Sequence, residues 1–344
     1  MLYVRHVFDD NLTQHKTDKI MTKAIQIHQT GGHEVLKWKE IQVGDPESSQ
    51  VRLKQTACGL NYIDVYGRSG LYPVAGFPAI LGMEAVGIVE AIGDDVDSLV
   101  VGDRVAYVMQ IGAYAESRLI DADKLVKIPN TITDQTAAAM MLKGLTAHYL
   151  LFRTYPVKKR DTILVYAAAG GVGLILCQWA KLLGATVIGC VGSDQKAALA
   201  KANGCDHTIL YSNEDIPTRV RALTDGKGVA AVYDSIGKAT FAASLDSLQP
   251  FGVLATFGNA SGSLEPFNPG ILAPKGSLYV TRPTLGTHIA TRELLEEGAK
   301  RLFQVVADGD VSIQVNQTFA LKDCAEAHEA LESRNTTGST VLVI

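Results

Sequence analysis

The chain has 344 residues, 47% of them hydrophobic and 20% charged, with 32 Lys+Arg against 36 Asp+Glu. At roughly 150 residues per domain this length suggests about two domains, and the apolar content excludes a disordered chain. The net charge of −4 gives no overall pull toward nucleic acid or an anionic membrane. Cys58, Cys177, Cys190, Cys205 and Cys324 form no C-x-x-C pair and read as reduced thiols of a cytoplasmic protein.

Residues 1–20 show no sustained hydrophobic period and no apolar core, so they read as a disordered extension rather than a targeting signal. From Met21 onward the first ~120 residues are β-rich. Short apolar runs at Lys23–Ile27, Val51–Ala57, Ala85–Ala91 and Arg104–Val108 are bounded by Gly, Asp or Pro. A helical pattern follows at 131–152. From Asp161 the chain alternates: strand Thr162–Tyr166, helix Val172–Leu183, strand Thr186–Val191, helix Asp194–Ala202, strand His207–Leu210. It continues with helix Pro217–Leu223, strand Val229–Asp234, helix Ala239–Leu245 and strand Val253–Phe257. Such alternation with short connections predicts a parallel, doubly wound sheet. A helical pattern at Thr291–Ala307 leads to Ser312–Phe319, Ala325–Ser333 and a terminal strand Ser339–Ile344.

Ile163–Ala180 carries no charge over 18 residues, long enough to raise a membrane span. Gly170, Gly171 and Gly173 in its middle, with β-branched residues before and helix formers after, point instead to strand, tight turn and buried helix. The turn reads Ala168-Ala169-Gly170-Gly171-Val172-Gly173, a dinucleotide fingerprint with Ala at the first Gly position. Gly170 lets backbone approach a pyrophosphate, Gly173 lets the helix pack close to the sheet, and the helix N-terminus offers N–H groups to the anion. After the next strand stands Gly192-Ser193-Asp194-Gln195-Lys196. Ser193 is an N-cap residue, and Lys196 in the first helical turn reaches toward a 2′-phosphate, with Tyr211 beside it. This favours NADPH, although Asp194 is of the residue type that binds a ribose hydroxyl in NAD enzymes. His328-Glu329-Ala330-Leu331-Glu332 resembles a zinc helix but has Glu where the second His is needed. The remaining histidines show no ligand spacing and read as ordinary, partly buried side chains.

Beyond these local signals the chain resembles the zinc-independent quinone oxidoreductases of the medium-chain dehydrogenase/reductase superfamily, the group that includes zeta-crystallin. The resemblance runs from Met21 to Ile344. It rests on Asn61-Tyr62-Ile63-Asp64-Val65-Tyr66, Arg68-Ser69-Gly70-Leu71-Tyr72-Pro73, Gly82-Met83-Glu84-Ala85-Val86-Gly87 and Gly102-Asp103-Arg104-Val105. It continues through Leu142-Lys143-Gly144-Leu145-Thr146-Ala147, the glycine turn, Tyr233-Asp234-Ser235-Ile236-Gly237, Lys275-Gly276-Ser277-Leu278 and His328–Arg334.

The resemblance implies an α/β protein with a GroES-like, partly open β-barrel catalytic domain (21–146 plus 284–344) and an inserted Rossmann domain (147–283). It also implies homodimers joined through the edges of the Rossmann sheets, with Gly276–Leu285 near the joint. Zinc-dependent relatives have Cys where this chain has Asn61 and His where it has Met83, and both are poor zinc ligands, so no metal is expected. By the same resemblance Asn61 and Tyr66 line the substrate cleft, and Thr146 and Tyr149 sit beside nicotinamide. Gly171 and Val172 meet pyrophosphate. Gly192, Ser193, Lys196, Tyr211 and Arg334 surround the 2′-phosphate, while Asn259, Thr284 and Leu285 hold the nicotinamide half. Each has a plainer alternative: the tyrosines as core, Asn61 as a helix cap. The implied activity is hydride transfer from NADPH to a quinone. The alternatives are reduction of an enone, enal or enoyl thioester, and a non-enzymatic RNA-binding or structural role.

Overall fold

The computed structural model describes residues 19–344. The expected extension therefore lies outside the described residues up to position 18, and Ile20 already pairs with Val43. The first part of the chain forms β1 (Ile20–Ile27), β2 (Lys37–Val43), β3 (Gln50–Leu60), α1 (Tyr62–Ser69), β4 (Ala79–Ile80), β5 (Glu84–Ile92), β6 (Arg104–Val108), β7 (Ser117–Asp121), β8 (Val126–Lys127) and α2 (Asp134–Tyr149). The middle alternates β9 (Thr162–Val165), α3 (Gly171–Leu182), β10 (Thr186–Val191), α4 (Asp194–Ala202), β11 (His207–Leu210), α5 (Ile216–Leu223), β12 (Val229–Asp234), α6 (Phe241–Ser247), β13 (Leu248–Thr256) and β14 (Tyr279–Thr281). The last part holds α7 (Leu285–His288), α8 (Arg292–Ala307), β15 (Val315–Ala320), α9 (Cys324–Glu332) and β16 (Ser339–Val343).

The middle strands form one six-stranded sheet in the order β11-β10-β9-β12-β13-β14, all parallel. This is the Rossmann order, with its reversal point between β9 and β12, where such sheets bind dinucleotides at their carboxyl ends. The inner strands β9, β10 and β12 are near-continuous apolar runs because helices cover both faces; every residue of β12 is buried. Side-chain oxygens of Ser193, Asp215 and Thr291 accept backbone N–H groups and start α4, α5 and α8. The predicted edges of β10, α4, β11 and β12 match. α6 begins two residues later than expected, and β13 begins earlier, at Leu248, because a register shift lets Leu248 pair with Val229 ahead of the main ladder.

Strands from both ends of the chain build the second large sheet, β15-β16-β3-β5-β6-β8, with β7 also on β3. β3 is its spine. Its first half pairs β7 and its second half pairs β16, while β5 runs along the other edge. Burial alternates from Gln50 to Thr56 and then becomes continuous, because α2 covers the outer face of the last four residues. α2 is the shared helix: it contacts β3, β5, β6 and β16 on one side and α3 on the other. The chain thus has an α/β fold with a GroES-like barrel and a parallel Rossmann sheet. No helix among the described residues is long and apolar enough to cross a membrane.

The glycine turn shows why the fingerprint needs its last glycine. A Cβ on Gly173 would lie 2.3 Å from the Ala167 carbonyl oxygen and 2.8 Å from the Ala168 backbone. Gly173→Ala should therefore push α3 off β9 and cost about 1–3 kcal/mol, the usual range for overpacking. Gly44→Ala, which meets nothing within 4 Å, should leave the thermal midpoint in place. Equal midpoints for the two variants would contradict this packing.

Candidate active site

The dinucleotide half of the site sits at the carboxyl ends of β9 and β10. Gly170 is the N-cap of α3, and Gly171 and Val172 are its first two residues, all partly exposed. A Cβ on Gly170 would touch only the Ala167 carbonyl, at 3.1 Å, so its face toward the helix terminus is bare backbone. At the end of β10, a Cβ on Gly192 would strike the Tyr211 hydroxyl at 2.4 Å, so that glycine is what lets Tyr211 close over the loop. Ser193 Oγ accepts the Lys196 N–H at 3.3 Å and caps α4. Lys196 Nζ reaches across to donate to the Arg334 carbonyl at 2.9 Å. Arg334 has φ 59°, a left-handed conformation that lifts it out of α9. Ser193 and Lys196 share the start of α4, Tyr211 closes over the adjoining Gly192, and Lys196 reaches the Arg334 backbone, so two cationic and two hydroxyl-bearing residues meet in one partly exposed region. That donor set fits a phosphate ester, and the Gly170–Gly173 helix terminus fits a pyrophosphate.

The candidate substrate half lies where α1 faces the loop after β13. The Tyr66 ring packs edge-on against Tyr72, centroids 5.1 Å apart. The Tyr66 hydroxyl accepts the Asn259 backbone N–H at 3.0 Å. Asn259 turns its side-chain oxygen to the Tyr72 hydroxyl and to Arg282 Nη2, each at 3.2 Å, and its NH2 group to the Gly258 carbonyl at 3.0 Å. Arg282 is held by the Thr256 carbonyl at 2.7 Å. These bonds join α1 and the segment after it to the segments that follow β13 and β14. Burial pushes the Tyr66 phenol up to about 12, so it stays protonated at neutral pH. Of the tyrosine cluster Tyr62, Tyr66 and Tyr72, the last two turn their hydroxyls to Asn259, while the Tyr62 hydroxyl donates to the Leu331 carbonyl at 3.1 Å.

Asn61 is the N-cap of α1 and shares a capping box with Asp64, whose Oδ2 accepts the Asn61 N–H at 2.9 Å. The capping alternative is thus realised, and the amide has a second task. Asn61 Nδ2 donates to Glu84 Oε1 at 2.8 Å. Glu84 is fully buried and also accepts Leu142 N at 2.6 Å and Lys143 Nζ at 3.0 Å. Thr146 and Tyr149 follow on α2, both buried. Tyr149 stacks on His288 at 4.4 Å, bringing it to α7, where Leu285 is buried and Thr284 is the exposed N-cap. Glu84, Lys143, Arg282 and His288 received no role from sequence. For Glu84 and Lys143 a signal existed: each is a lone ionisable residue in an apolar run.

A second polar chain lies under α1. Tyr114 Oη is 2.9 Å from Asp64 Oδ2 and 3.2 Å from His328 Nε2, and Arg68 Nη1 is 3.3 Å from His328 Nδ1. Arginine only donates, so Nδ1 accepts, the imidazole proton sits on Nε2, and Tyr114 passes its own hydrogen to Asp64. His328 is fully buried, His148 nearly so, and His28 is exposed, so the histidines are more varied than expected. No three His, Cys, Asp or Glu side chains cluster as a metal site among the described residues.

The comparisons agree with this geometry. Residues 171–300 match the family model described as zinc-binding dehydrogenase, and residues 47–130 match the alcohol dehydrogenase GroES-like domain. The fold and the two-part cleft are those of a medium-chain dehydrogenase/reductase. A quinone oxidoreductase of Pseudomonas aeruginosa is 52% identical over 324 residues, 94% of this chain and 100% of that protein. The crystal structure of Escherichia coli quinone oxidoreductase complexed with NADPH superposes with a TM-score of 0.92 at 47% identity, covering 94% of this chain and all of that one. A 2-haloacrylate reductase of a Burkholderia species is 44% identical over 330 residues, 94% of this chain and 99% of that protein. The chain belongs to the quinone oxidoreductase family.

Burial raises Asp64 to about 7, against lowering by its bonds from Asn61 and Tyr114. A carboxyl whose folded value is raised adds stability below its unfolded value of about 3.9, and that stability is lost as pH rises toward 7. Burial and the Arg68 charge lower His328 to about 3, which has the opposite sign in much the same window. Comparing Asp64→Asn with the parent cancels the His328 contribution. The variant's thermal midpoint should gain on the parent's between pH 4 and about 8. A pH-independent difference would show that Asp64 does not titrate in this range.

Proposed function

We propose that the protein is an NADPH-dependent quinone oxidoreductase whose reaction takes place in the cleft between the barrel and the Rossmann sheet. The observation that carries this is the single patch formed by Ser193, Lys196, Tyr211 and Arg334 beside the Gly170–Gly173 turn, in a chain of this family. The patch would hold the 2′-phosphate and the turn the pyrophosphate, with Gly192 making room for Tyr211. Tyr149, Thr146, Thr284, Leu285 and the Asn259 loop would hold the nicotinamide half. Bound there, NADPH supplies a hydride to the acceptor.

The chain's own residues orient and shield. Tyr66 and Tyr72 offer ring faces and edges to a planar acceptor, and Asn61 borders the same space from the end of α1. The Asn259 amide N–H and the Tyr66 hydroxyl hold the loop against α1, which limits water at the reacting face. The Tyr66 phenol, protonated throughout the neutral range, is the group we assign as proton source to the reduced oxygen, directly or through solvent. Asn61 is committed to Glu84 and Asp64, so the reading gives no Lewis-acid role to a metal at that position.

A second reading, reduction of an activated C=C bond, is favoured by the 2-haloacrylate reductase relative and by Arg282 at the cleft. We further propose a homodimer through β14, the edge strand, where Tyr279 is 59% exposed near the 68% exposed Phe251. The five buried, unpaired thiols fit the cytoplasm. The barrel's two segments and the Rossmann unit we divide near 146/147, inside α2, and at 283/284.

Lys196→Ala should loosen NADPH about tenfold or more, one charge-assisted hydrogen bond being worth roughly 1.5–3 kcal/mol, and leave NADH almost unchanged. Equal losses for both cofactors would remove Lys196 from 2′-phosphate recognition. NADPH oxidation by a small ortho- or para-quinone should persist after exhaustive chelation, and turnover of 2-alkenals or haloacrylates in its place would favour the second reading. Activity abolished by chelation and restored by zinc would overturn the mechanism.

A further inference from the structure

The ion pair between Lys143 and Glu84 is costly and carefully housed. Their side chains are 7% and 0% exposed. Such pairs usually contribute little net stability, and apolar replacements of similar volume often do better. Yet two glycines are shaped to receive this one. A Cβ on Gly59 would lie 2.1 Å from Glu84 Oε1, and a Cβ on Gly171 would lie 2.6 Å from Lys143 Cδ. Three donors converge on Glu84, from Leu142, Asn61 and Lys143. Asn61 and Lys143 meet one carboxyl oxygen and Leu142 the other, so both oxygens of Glu84 are engaged, with the Lys143 ammonium beside the carboxylate.

The pair also spans the site. Its Glu84 end grips the Asn61 amide, which borders the substrate. Its Lys143 stem lies directly beneath Gly171, in the pyrophosphate turn. An asparagine amide has two near-isosteric orientations, and a charged acceptor at 2.8 Å selects the one with Nδ2 toward Glu84. We infer that Lys143 and Glu84 are positioning residues that lock the Asn61 amide in one orientation at the substrate cleft and tie it to the backbone that receives the cofactor's pyrophosphate. This rests on the reading that Asn61 borders the substrate and the nicotinamide half of the cofactor.

The test is a set of variants assayed with NADPH and a quinone. Lys143→Met and Glu84→Gln each leave an unpaired buried group and should lower the thermal midpoint. The double variant should recover much of that loss because no lone charge remains. Its kcat should nonetheless stay about ten- to a hundredfold below the parent, while KM for NADPH moves less than about threefold, since the 2′-phosphate patch is untouched. Asn61→Ser keeps a good N-cap for α1 but cannot present an amide to Glu84. In that background the Lys143→Met/Glu84→Gln change should cost no further kcat, because all three act as one unit. A folded double variant with parental kcat would overturn the proposal, and so would losses that simply multiply with that of Asn61→Ser. Parental kcat in Asn61→Ser itself would instead remove Asn61 from the cleft, and the tie with it.

Discussion

A single carboxylate stands at the seam of this protein. Glu84 begins a barrel strand, fully buried, and takes hydrogen bonds from the cap of α1, from the backbone of α2 and from the Lys143 ammonium. The barrel strands and the first Rossmann helix, α3, both pack on α2, so that helix links the two parts of the chain. Every other element of the site is referred to it: α1 carries Asn61 and Tyr66 on one side, and α3 opens with the glycine turn on the other. Both oxygens of Glu84 are engaged by these three donors, which makes the seam intolerant of change there.

The two halves are then joined a second time, by hydroxyl, amide and guanidinium groups. Tyr66, Tyr72 and Arg282 meet Asn259 over the cleft through bonds of 3.0–3.2 Å. Hydroxyl–amide bonds of this kind are exchangeable at modest net cost. The rigid tie lies deep, against Gly171 of the glycine turn, and the adjustable one lies at Asn259, where we propose that an acceptor enters. A planar quinone and a short activated alkene place similar demands on such a cleft, which is why one family holds relatives named for each.

Much of the Rossmann half was legible from sequence, for a physical reason. Its inner strands are covered on both faces, so β10 and β12 appear as short, largely apolar runs, and Ser193 marks the start of α4. The proposed phosphate patch rests on one capping serine and one lysine in the first helical turn, with Arg334 supplied only by resemblance. β14 is three residues long and α7 four, too short to carry a period. Lys143 and Glu84 stood in the quoted motifs without a role, because their meaning depends on a contact across 59 residues. The Arg282–Tyr72 bond spans 210 residues and left no local trace at all.

The central claim is that one bound NADPH uses both halves at once. A crystal structure of the NADPH complex tests it most directly. The account predicts the 2′-phosphate among Ser193, Lys196, Tyr211 and Arg334, the pyrophosphate over Gly171 and Val172, and the nicotinamide between Tyr149 and the Asn259 loop, facing Tyr66. A 2′-phosphate turned to solvent away from Lys196 and Arg334, or a nicotinamide lying outside the space between Tyr66 and Tyr149, would contradict it.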